Sequence, residues 1–130
     1  MILYLLVALC GALGSVARFA LSGFVANQFG TTFPWGTFII NVTGSFVIGF
    51  YATLTGPDGR VFASGHSRQF FMTGICGGYT TFSSFSLQTL NLLRDREWLY
   101  AGGNVLLSVV LCMIAVWGGW MLGSMFGSTK

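Results

Sequence analysis

The chain has 130 residues, of which 54% are hydrophobic and only 7% are charged. A soluble domain carries about a quarter charged residues, so this composition cannot cover a water-facing surface and indicates an integral membrane protein in the lipid bilayer. The net charge of +3 rests on six basic and three acidic residues, too few for a nucleic-acid interface, and we expect no nucleic-acid partner.

The first apolar segment is predicted to run from about Ile2 to Val25, which exceeds the roughly 20 helical residues that cross a bilayer. Its glycines, Gly11 and Gly14, predict a face that another helix can approach closely. Arg18 is its only charged residue.

The second apolar segment is predicted from about Pro34 to Thr53, with the proline suited to the first turn of a helix. Its interior contains small and polar residues that are unusual for contact with lipid, namely Asn41, Thr43, Gly44, Ser45 and Gly49. The stretch from Gly56 to Arg68 that follows is polar and rich in turn-forming residues, which predicts a loop. His66 is interpreted as a solvated residue of this loop.

The third apolar segment, from about Gln69 to Leu93, is predicted to be interrupted within Gly74–Phe85. Three glycines in five residues are a poor continuation for a helix, and two threonines follow whose hydroxyls compete for backbone groups. Within a bilayer, non-helical backbone occurs only where protein or a water-filled cavity surrounds it. The interruption is therefore a candidate site for an ion or substrate.

The fourth segment is predicted from about Trp98 to Phe126. Residues 1–130 are thus interpreted as a single transmembrane domain of four helices, all-α in class, in the cell (inner) membrane. Cys10, Cys76 and Cys112 lie within apolar segments without a CxxC pair and are interpreted as small buried hydrophobic residues.

Basic residues divide almost evenly between the two predicted sides of the membrane. The side with both termini and the loop after the second segment has Arg60, Arg68 and Lys130. The opposite side has Arg94 and Arg96, joined by Arg18 if its side chain reaches that interface. Because an excess of basic residues sets orientation, we expect the chain to insert both ways up, which allows antiparallel dimers.

The predicted membrane segments contain no Asp, Glu, Lys or His. Proton-coupled transport commonly uses an intramembrane carboxylate or histidine, which counts against an exchanger of the small multidrug-resistance type, although size and charge balance would suit one. No nucleophile–base pair, paired carboxylates or metal cluster can be assembled, so an enzyme is not predicted. A passive permeation pathway is the remaining interpretation.

Neutral hydrogen-bond donors are the candidate lining of such a pathway, and without fixed negative charge they suit an anion. They are Thr37, Asn41, Ser83, Ser84, Gln88 and Ser108. Phe82 and Phe85 either face lipid or turn their positive ring edges toward an anion. Arg18 either reaches the membrane interface or attracts anions into an aqueous vestibule.

Three motifs together resemble the Fluc (CrcB) family of fluoride channels. The run Gly77–Ser86, GGYTTFSSFS, is similar to the GG-x-TTFSTFS signature of that family. Residues 11–18, GALGSVAR, resemble its G-x-x-G-x-x-x-R, and residues 34–45, PWGTFIINVTGS, resemble its PWGT-x-x-x-N-x-x-G-S. The combination is specific, whereas each motif alone would be weak.

The resemblance implies a fluoride-selective passive channel that exports fluoride and confers resistance to it. It also implies an antiparallel, dual-topology homodimer with two pores and a structural sodium ion at the dimer centre. By position, Phe82 and Phe85 match the pore phenylalanines, Asn41 the pore asparagine and Ser108 a pore serine. Arg18 matches the vestibule arginine, and Gly77 and Thr80 match the positions whose backbone carbonyls hold sodium.

The chain departs from the family pattern at three positions. Asn104 stands where some members have tyrosine, Cys112 where a second pore serine is found, and Gln88 where glutamate is common. These departures concern the outer lining of the pore. The competing interpretations are a small transporter or exchanger and a membrane assembly subunit without transport activity.

Overall fold

The computed structural model describes residues 1–127, so the charge prediction for Lys130 lies outside the described residues. Every regular element is helical within this range. In chain order they are α1 (Ile2–Phe29), α2 (Trp35–Leu54), α3 (Gly65–Gln69), a π-helical segment (Phe70–Cys76), α4 (Gly77–Tyr79), α5 (Phe82–Arg94) and α6 (Trp98–Gly127).

Three of these helices, α1, α2 and α6, are long and apolar enough to cross a membrane. The third predicted segment is the broken one, so the prediction of an all-helical protein with an interrupted third segment is confirmed. The first helix is longer than predicted and continues to Phe29. It ends at Gly30, whose positive φ of 77° is a conformation that few other residues adopt.

The interruption lies within the predicted stretch Gly74–Phe85, at Thr80 and Thr81 rather than at the glycines. Gly77 and Gly78 form helical turns, and the helix stops only at Thr80, where the backbone becomes extended. From Gly65 to Tyr79 the chain is one continuous rod, made of α3, the π-helical segment and α4. The glycines are therefore not the break, because their low helix propensity is outweighed by the packing that they permit.

This packing joins the rod to α1. A Cβ atom at Gly14 would collide with the backbone of Ile75 and Tyr79, and one at Gly78 would collide with the backbone of Gly11. Two helix backbones touch here with no side chain between them, as in other membrane helix pairs built on small residues. The small-residue face predicted for the first segment is thus occupied by the third segment of the same chain.

A second glycine seam joins α2 to α6, which is the most extensive helix contact in the fold. A Cβ at Gly49 would strike the Val116 carbonyl, and one at Gly119 would strike the Phe46 carbonyl. The small residues of α2 thus pack on protein rather than on lipid.

The predicted loop from Gly56 to Arg68 is shorter in the structure, because α3 begins at Gly65 and includes His66. Ser64 caps this short helix by accepting a hydrogen bond from the Ser67 N–H at 3.1 Å. His66 is exposed and lies in this short helix rather than in the loop. Arg68 donates to Thr55 Oγ1 at 3.2 Å and to the Ala52 carbonyl at 3.4 Å, which places a cation at the C-terminal end of α2.

Candidate functional site

Thr81 is the residue around which the third segment is interrupted. Thr80 and Thr81 have extended backbones, with ψ angles of 159° and 113°, and α5 begins at the next residue. The Thr81 hydroxyl accepts a hydrogen bond from the Ser84 N–H at 3.2 Å, which is the ordinary N-cap of a helix. A new helix therefore starts inside the membrane segment with its first turn capped.

Asn41 of α2 holds the backbone of Thr81 from the side. Its Nδ2 donates to the Thr81 carbonyl at 3.0 Å, and its Oδ1 accepts from the Thr81 N–H at 2.8 Å. One carboxamide thus satisfies both backbone groups of the central residue of the break. Such groups would otherwise cost several kcal/mol each in hydrocarbon.

The clamp leaves two carbonyls without the partners that an unbroken helix would give them. The N–H that would reach the Gly77 carbonyl belongs to Thr81 and donates to Asn41 instead. The N–H that would reach the Thr80 carbonyl belongs to Ser84 and donates to the Thr81 hydroxyl. Both positions predicted to offer carbonyls at the break are therefore among those that lose their helical donors.

On one side of the break lies a polar cavity of about 330 Å³, which we call the arginine cavity. Arg18 lines it, half-buried, with Thr37 and Ser84. Hydroxyls of Ser15 and Ser22 are further members, and no carboxylate occurs among its described lining residues. A guanidinium surrounded by neutral hydroxyls makes this cavity attractive to an anion.

A larger cavity of about 490 Å³, the mouth cavity, adjoins the arginine cavity and shares Ser22, Thr37 and Gln88 with it. The Oε1 atom of Gln88 is buried and accepts no hydrogen bond from the described residues. The terminal amide can turn over and present its NH2 group instead, which would add a donor at the junction of the two cavities. Asp95 and Glu97 also line the mouth cavity.

On the other side of the break lies a groove of about 410 Å³, which we call the phenylalanine groove. It is lined by Asn41, Phe82, Phe85 and Ser108, and by Gly77 and Thr80. Thr81 lines both this groove and the arginine cavity. The clamped threonine therefore stands between a cationic compartment and an aromatic one.

The two phenylalanines differ sharply in exposure. Phe85 is 8% exposed and Phe82 is 76% exposed, although their ring centroids are only 5.3 Å apart at an interplanar angle of 50°. Phe85 belongs to the core of the single chain. Phe82 projects from the surface of the single chain at the edge of the groove.

A polar bridge fixes α5 to α6 beside the groove. Asn104 is 1% exposed and donates from Nδ2 to the Thr89 hydroxyl at 2.9 Å. Ser108 in turn donates to Asn104 Oδ1 at 3.3 Å. The asparagine, which the sequence marks as a departure from the family pattern, thus orients Ser108 at the edge of the groove.

The structure brings most of the predicted site residues together in two groups. Arg18, Thr37, Ser84 and Gln88 share the arginine cavity, and the phenylalanine groove holds the rest of the set except Ser83. Ser83 is exposed and lines neither cavity, although its hydroxyl lies 3.3 Å from that of Thr81.

Sequence reasoning missed Thr81, Ser15 and Ser22 as members of the site. Thr81 carries the pattern that would have identified it, because a threonine directly before a new helical run is a typical N-cap. Ser15 and Ser22 lie seven residues apart on α1, with Arg18 between them, and this helical spacing places them on the face of the arginine.

Among residues 1–127 no group of three or more His, Cys, Asp or Glu side chains could hold a metal ion. Any cation at the break would have backbone carbonyls as ligands. Taken together, the site has one guanidinium, several neutral hydroxyl and amide donors and two aromatic rings. This set can accompany an anion through the protein without a proton acceptor.

Comparison with known proteins gives one consistent family. Residues 5–120 match the family described as CrcB-like protein, Camphor Resistance (CrcB). A fluoride-specific ion channel FluC of Opitutus terrae is 66% identical over 119 residues, which cover 92% of this chain and 90% of the relative. Proteins of the same name from Rhodospirillum rubrum and Methylocella silvestris are 64% and 59% identical over 116 residues, covering 89% of this chain in each case and 90% and 88% of the relatives. The chain is a multi-pass membrane protein and belongs to the CrcB family.

Proposed function

We propose that this protein is a fluoride-selective passive channel that lets fluoride leave the cell across the inner membrane. The observation that carries the proposal is the sequence of compartments around Thr81, with Arg18 on one side and Phe85 on the other. The name shared by the relatives supplies the identity of the anion.

The conduction path runs from the mouth cavity through the arginine cavity, past Thr81, into the phenylalanine groove. Arg18 raises the local anion concentration in the first part of this path, because a cation in a partly dehydrated cavity is poorly screened. The hydroxyls of Thr37 and Ser84 then replace water molecules around the ion one by one. Fluoride holds its water tightly, so such directed donors are needed wherever the path narrows.

In the groove the donors are fewer, and the ring edges of Phe82 and Phe85 take their place. The edge of an aromatic ring carries the positive part of its quadrupole and can face an anion. Ser108 lines the same groove; its hydroxyl hydrogen, which it donates to Asn104 Oδ1 in this structure, would have to turn toward the ion for the residue to act as a donor. Neither the arginine cavity nor the phenylalanine groove has a carboxylate or histidine among its described lining residues, and the protein acts as a conduit rather than an enzyme.

A second copy of the chain is part of the proposal, because the groove of one chain is incomplete. Its lining includes Gly77 and Thr80, whose carbonyls have lost their helical donors, and lipid could not offer these groups hydrogen bonds. A second chain covering the groove would close it into a pore. Together with the near-even division of basic residues, this favours an antiparallel homodimer. In each chain α1, α2 and α6 cross the membrane, and α3 to α5 together form the remaining crossing.

A structural sodium ion fits the same arrangement. The carbonyls of Gly77 and Thr80 have lost their helical donors, and both residues line the groove that the second copy would cover. A two-fold axis through this region would bring four such carbonyls around one cation. Sodium would be coordinated by these carbonyl oxygens at the dimer centre. Fluoride flux would stay independent of any sodium gradient.

The test is ion flux from liposomes that contain the purified protein, without a proton gradient. Fluoride efflux that proceeds under these conditions, with chloride retained, supports the channel. Efflux that requires an opposing proton gradient would instead identify an exchanger of the small multidrug-resistance type. Absence of flux from well-folded protein would leave a membrane assembly subunit and overturn the proposal.

A further inference from the structure

Four sulfur-containing side chains line the phenylalanine groove. Met72 and Cys76 come from the rod, four residues apart, and Cys112 and Met113 come from α6. Each wall of the groove thus contributes one thiol and one thioether. The path of fluoride through hydroxyls and rings requires none of these sulfur atoms.

Both thiols are free, and they differ in accessibility. Cys76 is 4% exposed, Cys112 is half-buried, and Met113 at the rim is 64% exposed. An ion that enters the groove would therefore meet Met113 and Cys112 first and Cys76 at greater depth. The third cysteine, Cys10, is outside the groove lining and packs against Gly74 instead.

We propose that Met72, Cys76, Cys112 and Met113 form a binding site for a soft monovalent metal ion, of the silver(I) or copper(I) kind, inside the phenylalanine groove. Thiolate and thioether ligands select such ions, whereas hard cations require several oxygen ligands. No histidine or carboxylate occurs among the described lining residues of the groove, so the donor set does not favour divalent metals that use those ligands. On binding, each thiol that ligates the metal forms a sulfur–metal bond and releases its proton to water.

The site has a consequence for conduction, which rests on the function proposed above. The sulfur atoms share the groove with Phe85 and Ser108, so a metal ion held there occupies the space that fluoride would cross. A soft metal ion is therefore an inhibitor of fluoride flux, and it binds in the groove rather than at the mouth of the channel.

The experiment titrates the purified full-length protein with silver nitrate in chloride-free buffer, since silver chloride would precipitate. Bound silver is measured by elemental mass spectrometry after gel filtration, and fluoride efflux is measured in parallel from liposomes. We expect saturation near one silver ion per chain, because the four side chains line a single groove. Calcium at the same concentration is expected neither to bind nor to inhibit.

The double variant Cys76→Ala/Cys112→Ala should lower the apparent silver affinity at least about tenfold, a loss that corresponds to roughly 1.4 kcal/mol. The near-isosteric double variant Met72→Leu/Met113→Leu should weaken binding to a smaller extent, with little disturbance of packing. Cys10→Ala is the matched control and should bind silver as the parent does. Each variant's inhibition is expressed relative to its own uninhibited flux.

The single variant Cys112→Ser keeps the experiment decisive if the double cysteine variant does not fold, because Cys112 is half-buried and serine preserves its size. Silver affinity that is unchanged in the folded cysteine variants, or that falls in Cys10→Ala, overturns the site. The binding titration stands whether or not the protein conducts fluoride. Silver that binds through Cys76 and Cys112 without slowing fluoride efflux would overturn the inhibition and remove the groove from the conduction path.

Discussion

Asn41 and Thr81 exchange two hydrogen bonds, at 2.8 and 3.0 Å, between a side-chain amide on one helix and a peptide group at the break of another. The pair reproduces the bonding of two residues paired in an antiparallel sheet, with a side chain in place of the second strand. A residue expected in the pore wall therefore also satisfies the backbone that separates the two compartments.

Asn41→Ala should destabilise the protein, because it leaves the N–H and carbonyl of Thr81 without partners. We expect a loss of roughly 1–3 kcal/mol, as for other buried polar groups whose partner is removed. Thermal unfolding in detergent measures this loss, and hydrogen exchange should accelerate at Thr81. Asn27→Ala, at an exposed position on α1, is the control and should leave both measurements unchanged. Equal stability of the two variants would contradict the role of the clamp.

Phe82→Ile and Phe85→Ile each remove an aromatic ring while retaining a bulky apolar side chain. If the ring edges stabilise the ion, each change should lower fluoride efflux about tenfold or more, which corresponds to roughly 1.4 kcal/mol on the barrier. Phe24→Ile, at an exposed position outside the described cavities, should conduct normally. Unchanged efflux in a well-folded Phe82→Ile variant would return that ring to contact with lipid.

Arg18→Gln tests whether the arginine cavity concentrates anions. Flux should fall most at low ionic strength, because screening by salt already weakens the attraction at higher concentrations. Arg60→Gln, in the exposed loop after α2, is the control for a general effect of charge. A reduction that does not vary with salt would show that Arg18 acts through structure.

Substitutions at two neighbouring glycines test the proposed sodium site and the helix packing independently of each other. A Cβ at Gly77 meets nothing closer than the Met72 carbonyl at 3.7 Å within the single chain, whereas one at Gly78 collides with the backbone of Gly11. Gly78→Ala should therefore lower stability. Gly77→Ala should leave the single chain folded but weaken the dimer and sodium retention, because its methyl group would lie where the second copy is expected.

Elemental analysis and cross-linking of the purified protein measure sodium content and dimer content for both glycine variants. Slow exchange of the parent into sodium-free medium should lower fluoride flux while the helical circular dichroism persists. A dimer that retains full activity and stability after thorough sodium removal would overturn the role proposed for Gly77 and Thr80.

Dual topology can be tested by adding charge. Two lysines added to the loop between Gly56 and Ser64 should bias insertion of all chains into one orientation and remove most activity, because antiparallel partners become scarce. Co-expression with a variant that carries two lysines beside Arg94 should restore flux. Full activity of the first variant alone would exclude an obligatory antiparallel pair.

Much of this arrangement follows from local sequence. Apolar length identified the spanning helices, and the glycine and threonine run identified an interrupted segment. The break lies within the predicted stretch but not at its glycines, because the helix propensity of glycine is a local property whereas Gly78 is held in its helix by contact with Gly11, 67 positions earlier in the chain. Only the tertiary structure shows such a contact.

The sequence named the types of residue in the candidate site, but it did not indicate which of them lie together. Asn41 and Thr81 are separated by 40 positions, and no periodicity indicates that one would bind the backbone of the other. The division of the site between the arginine cavity and the phenylalanine groove likewise depends on how α1, α2 and α5 pack. Ser83 was named as a lining residue because it is a neutral donor, but its side chain is exposed and lines neither cavity.

The broken third segment has a consequence for how the protein enters the membrane. Its rod consists of pieces of 5, 7 and 3 residues, and α5 has 13, so neither half reaches the roughly 20 residues that insert by hydropathy alone. During synthesis α1 and α2 precede it, offering the rod a glycine surface and Thr81 the amide of Asn41. The bond between Asn104 and Thr89 forms only after α6 has emerged from the ribosome. Full insertion of α5 is thus a late step, coupled to the arrival of the last helix.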